Sequence, residues 1–141
     1  MASRSDSTLP LAGICVIAFV ATIIIHASYV PRYLPGEFTQ GLPYLVVGWA
    51  SYGILFYGLG RLRPVPDGSR MPNMRASDIG LALFLISIVL SGLLDATGLS
   101  LAESTILHLP AAVGIYVGLA LAGWGFGTRT GIINQIVDDS D

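Results

Sequence analysis

Lysine is missing from this chain and cysteine occurs once. A single Cys15 closes no intramolecular disulfide and builds no thiolate metal cluster. Charge of either sign is scarce: 11% of the residues are charged, against roughly 25% in soluble domains. Several common chemistries lack their motifs, since there is no Gly-rich phosphate loop, no HExxH, no CxxC, and no Ser/His/Asp set at a usable spacing. What is present instead is hydrocarbon. Apolar residues fill 53% of 141 positions and the mean hydropathy is +0.72, which predicts a single integral membrane domain over residues 1–141.

Four apolar runs carry that prediction. Residues 9–30 are interrupted only by His26 and reach ~33 Å as a helix, enough for a bilayer core of about 30 Å. The run is longer than the ~7–15 residues of a signal-peptide h-region and no A-x-A site follows, so it reads as a span. A connector rich in Pro and Gly turns the chain back into a second span over 43–60, with Pro43 expected at the helix start. Ser77-Asp78 suggests an N-cap for a third span over 79–98, with Gly98 as its stop. The fourth covers 103–127, with Glu103 in its first turn and Thr128-Arg129-Thr130-Gly131 closing it.

Between the second and third spans lies a loop over 61–77 that holds four of the seven arginines, Arg61, Arg63, Arg70 and Arg75. Its prolines and fixed charges cannot enter hydrocarbon. With Arg4 and Arg129 on the same side and Arg32 alone on the other, the arginine asymmetry places this loop and both termini in the cytoplasm. The expected fold is all-α: a four-helix transmembrane bundle, up-down-up-down, of two hairpins joined by a cytoplasmic Arg-rich loop, multi-pass in the cell membrane. Arginine without lysine, together with the closing Asp138-Asp139-Ser140-Asp141, resembles small multi-span membrane proteins of halophilic archaea. That resemblance is compositional, and it implies a habitat rather than an activity.

A weak repeat runs through the chain. At an offset of 67, Leu42-Pro43 falls on Leu109-Pro110, Val46 on Val113, and Gly58-x-Gly60 on Gly125-x-Gly127, while spans one and three match poorly. A duplication of this kind has an axis along the membrane normal.

Ionisable side chains inside the spans are candidates for function because they are costly there. These are His26, Asp95 and His108, each near the outer end of its span, ~5–8 Å below the surface by helix rise. Ser87, Ser91 and Asp95 recur every four residues and form a polar stripe. The expected site is one outward-facing pocket of His26, Ser91, Asp95 and His108. Two histidines at equal depth also suggest cofactor binding by His26 and His108, as haem or, with Asp95, a metal ion. Packing roles are expected for Gly114 and Gly118, spaced for close helix approach. Trp49, Tyr52 and Phe56 form a ridge on span two, for the bundle interior or for another subunit, and Tyr29, Tyr33 and Tyr44 read as an interfacial belt. The Arg loop lacks the aromatic interleaving of a nucleic-acid surface. The expected function is a non-enzymatic accessory or assembling subunit, with the lipid bilayer and other membrane subunits, or itself, as partners. A small redox or metal-binding membrane protein using His26, His108 and Asp95 is the alternative.

Overall fold

The computed structural model describes residues 4–64 and 75–138. Every regular element among them is helical: α1 (Arg4–Ile24), a π turn (Ile25–Tyr29), α2 (Val30–Tyr33), α3 (Phe38–Leu62), α4 (Arg75–Ala96) and α5 (Thr105–Asp138). The first three run on as one rod. Four helices are thus long and apolar enough to cross a membrane, over Thr8–Tyr33, Phe38–Leu62, Arg75–Ala96 and Thr105–Val137, as a multi-pass membrane protein requires. The middle of the Arg loop, with Arg70, and the last three residues of the acidic tail lie outside the described residues.

Helix ends depart from the expected ones for local reasons. The first rod continues past Val30 because Pro31 widens it instead of stopping it. Proline has no N–H for the carbonyl four residues back, that of Ala27, and its ring crowds that carbonyl, so the turn over Ile25–Tyr29 opens to π geometry. Pro43 does not start a helix either: α3 begins five residues earlier, at Phe38, and Pro110 sits at the same distance from the start of α5. In α4 the helix starts at Arg75, so Ser77 is a buried helical residue and not an N-cap, although Asp78 remains favourably in the first turn. The expected stop at Gly98 is present. Gly98 adopts φ +87°, Leu99 N–H donates to Leu94 O at 3.0 Å and Gly98 N–H to Asp95 O at 3.0 Å, the two bonds of a Schellman motif. Glu103 lies in the following turn, outside α5.

The fourth helix runs well past Gly127. Thr128 and Thr130 turn their hydroxyls back on the carbonyls of Trp124 and Phe126, at 2.9 Å each, and so satisfy themselves within the helix instead of ending it.

Packing follows a fixed order. α3 and α5 form a central pair, α1 flanks α3, α4 flanks α5, and α1 and α4 do not pack on each other. On α3, Gly41 meets Tyr33, Gly48 meets His26 and Gly58 meets Cys15, so the first rod runs antiparallel to α3. The second hairpin is built the same way, with Gly114 against Ser87, Gly118 against Phe84 and Gly80, and Gly125 against Ser77.

The central seam is parallel, and it obeys the 67-residue offset. Gly60 lies against the backbone of Trp124 and Thr128, and its counterpart Gly127 lies against Tyr57 and Arg61, which are the counterparts of those two residues. Phe56 and Gly123, which touch, are also counterparts of each other. Reciprocal contacts of this kind define a twofold axis running along the seam.

What is buried is small. Apart from Leu45, Ile115 and Ile132, the buried apolar residues are Cys15, Ala18, Ala111 and Ala122, whereas Leu9, Ile17 and Ile106 are 74%, 71% and 83% exposed. Small side chains inside and large apolar ones outside suit helices that meet each other at close range and meet lipid everywhere else.

Candidate functional site: a histidine–tyrosine crossing

His26 sits on the π turn that Pro31 imposes, and its ring lies on the bare backbone of Gly48. A methyl group on Gly48 would come within 2.7 Å of Cε1, so any larger residue would push the imidazole out. Nδ1 is 2.8 Å from the Thr22 carbonyl oxygen. A carbonyl only accepts, so Nδ1 carries the proton and Nε2 holds a lone pair. That lone pair accepts the hydroxyl of Tyr116, 2.6 Å away on α5. The Tyr116 ring stands edge-on to His26, with centroids 5.3 Å apart, and edge-on to Tyr52, also at 5.3 Å. Thr22 gives its own hydroxyl to Ala18 O at 2.8 Å, which completes the chain.

Trp49 closes the cluster from the other side. It meets Phe84 of α4 edge-on, with centroids 5.9 Å apart, while its buried Nε1–H lies near the Tyr116 hydroxyl but in hydrogen-bonding geometry with no acceptor among the described residues. The ridge of Trp49, Tyr52 and Phe56 therefore faces inward, toward α4 and α5. A buried N–H with no acceptor is costly, on the order of 1–3 kcal/mol.

His108 is built oppositely. It is 4% exposed, its Nε2 lies 2.7 Å from Leu99 O and its Nδ1 2.8 Å from Ser91 Oγ. Here Nε2 must donate, to the carbonyl, and Nδ1 accepts from the serine hydroxyl. The bond to Leu99 ties the loop after Gly98 to α5.

The structure therefore divides the expected four-residue pocket. Ser91 and His108 meet, but His26 pairs with Tyr116, eight residues and roughly 12 Å further along α5 than His108. The equal-depth expectation fails because the first rod extends to Tyr33, which sets His26 deeper than a span ending at Val30 would. Asp95 is exposed, in the last turn of α4, and its carboxylate makes no hydrogen bond or ion pair among the described residues. Gly114 and Gly118 lie on the contact with α4, where a methyl on Gly118 would come within 2.6 Å of Phe84 N.

As neutral rings the two imidazoles take opposite tautomers, and the second nitrogen of each is already engaged by a hydroxyl. Ligating haem iron or a metal ion through either one would break its bond to a hydroxyl and leave that hydroxyl orphaned. Among the described residues no three His, Cys, Asp or Glu side chains are grouped to hold a metal ion. Sequence reasoning missed Tyr116, although the repeat carries a signal for it: at the offset of 67 it falls on Trp49, the other aromatic residue that reaches across the central seam. The chain matches no protein-family model, no curated protein and no solved structure, and what this site does is set by its own geometry.

Proposed function

We propose that this protein is a non-enzymatic component of the cell membrane, an accessory or assembling subunit, with both termini in the cytoplasm. One observation carries the reading: the polar groups of both histidines are spent on internal partners, while the backbone of α1 packs closely only on α3 and that of α4 only on α5, reached further only by the side chains of Tyr116 and Trp49, so that each leaves an apolar flank uncovered. Groups locked in this way hold helices together. Flanks of this kind suit lipid on one side and a neighbouring subunit, or a second copy, on the other. A redox or metal protein using His26, His108 and Asp95 is not favoured, since the two imidazoles have separate partners and Asp95 joins neither.

Two measurements test the reading. Reporter fusions at Ser69 and Gly36 are expected to lie in the cytoplasm and outside it, respectively, as the arginine asymmetry demands. Native mass spectrometry of the protein drawn from its own membrane into nanodiscs is expected to show a fixed stoichiometry with itself or with another membrane chain. A lone monomer in every such preparation ends the proposal.

A further inference from the structure

At the Tyr33 end of the first rod three tyrosines form a stack. Tyr44 of α3 lies between Tyr29 and Tyr33, with ring centroids 5.0 and 5.3 Å away and ring planes within 16° and 4° of parallel. Gly41 makes room for this, because a side chain there would meet Tyr33 Cβ at 2.9 Å. Arg32 lies over Tyr29, its Cζ 5.9 Å from the ring centroid, so the exposed guanidinium is drawn toward the aromatic face. It is the one arginine expected on this side of the membrane. Among the described residues it has no ion pair: Glu37, the nearest acid in sequence, is exposed and makes no salt bridge, and Asp95 and Glu103 of the other hairpin make none either. The three phenol hydroxyls likewise have no protein acceptor among the described residues. An exposed guanidinium over the Tyr29 ring and a stack of three tyrosines with unspent O–H donors thus share the end of the apolar rod.

We infer that this stack binds a phosphate anion as a lipid headgroup carries it. A guanidinium presents parallel N–H donors that match two phosphate oxygens. The phenols supply neutral donors that do not repel the anion. The stacked rings give the acyl chains below an apolar wall at the depth where tyrosine is favoured. This inference is independent of the assembly proposed above.

Native mass spectrometry of the full chain in detergent tests it, with dioleoylphosphatidylglycerol compared against dioleoylglycerol, which has the same chains and no phosphate. The phosphatidylglycerol is expected to stay bound at one per chain and the diacylglycerol to be lost. Arg32→Ala is expected to weaken retention roughly tenfold, the value of one charge-assisted contact pair, with Arg32→Lys in between. Replacing Tyr29, Tyr33 and Tyr44 by Phe keeps the stack and is expected to weaken retention several-fold. Equal retention of both lipids, unchanged binding in Arg32→Ala, or an equal loss in Arg63→Ala at the opposite end overturns the inference. Displacement by millimolar inorganic phosphate would assign the site to the free anion and overturn the lipid source.

Discussion

Two aromatic side chains cross the central seam, and the twofold axis relates their positions. Tyr116 reaches from α5 to His26, and Trp49, its counterpart, reaches from α3 to Phe84. The first crossing is closed by a hydrogen bond of 2.6 Å and continued to the Thr22 carbonyl. The second is closed only by a ring edge, and it leaves an indole N–H without an acceptor. One half of the molecule has thus a polar crossing that is fully satisfied, and the other an apolar crossing with one donor left over. In hydrocarbon the difference matters, because no water is at hand to complete either one. Between helices a polar contact adds stability only when every member has a partner, whereas edge-on rings need none.

The seam itself gives the largest expected effect. Gly60→Leu and Gly127→Leu each force a side chain against backbone that cannot rotate away, and each should cost about 3 kcal/mol or prevent folding, the upper end of overpacking costs. If the twofold relation governs packing, thermal unfolding in detergent should show equal losses for the two. A well-tolerated change at one glycine and collapse at the other would break the symmetry.

Next come the crossings. His26→Leu takes its partner from the half-buried Tyr116 hydroxyl, for an expected cost on the order of 1–3 kcal/mol, while Phe84→Leu should stay below about 1.5 kcal/mol as a change of shape and volume. Adding Tyr116→Phe to His26→Leu should recover part of the loss, since the orphaned hydroxyl goes with it. Unfolding free energies of the two single variants and the double variant measure this coupling, and strict additivity would show that the 2.6 Å contact carries no energy.

Gly118 and Gly114 sharpen the comparison within α5. Gly118→Ala drives a methyl toward the backbone of Phe84, whereas Gly114→Ala meets the Ser87 side chain, which can turn. The first should cost roughly 1–3 kcal/mol and the second under ~1 kcal/mol; the reverse order would mean that α4 shifts as a body. Smallest of all is Trp49→Phe, in which relief of the unpaired N–H offsets lost volume, for a net change within about 1 kcal/mol. Tyr116→Phe, at the related position, should cost more because it orphans Nε2 of His26. Comparable losses for the two would remove the distinction between the crossings.

Much of the frame was legible in the residues. Four apolar runs and the Gly98 stop could be read directly, because span length and a left-handed glycine are local requirements. The glycine repeat at an offset of 67 also carried the register of the α3–α5 seam, since close approach selects for the absence of a side chain at fixed intervals. Helix ends were less legible. Thr128 and Thr130 are stop signals in a soluble helix, yet here their hydroxyls bond back within α5, and the first rod runs on through Pro31 by way of a π turn where a loop was expected.

Composition and hydrophobic run length by themselves determined that the chain is helical and suited to a membrane, because a backbone in hydrocarbon has to satisfy its own hydrogen bonds. Which polar groups meet was decided only by tertiary structure. His26, Ser91, Asp95 and His108 have the spacing of a shared pocket, but a helix carries no record of its rotation or axial shift against a neighbour. The π turn at Pro31 and the bare backbone of Gly48 carry His26 to Tyr116, Ser91 takes His108, and Asp95 is left facing outward.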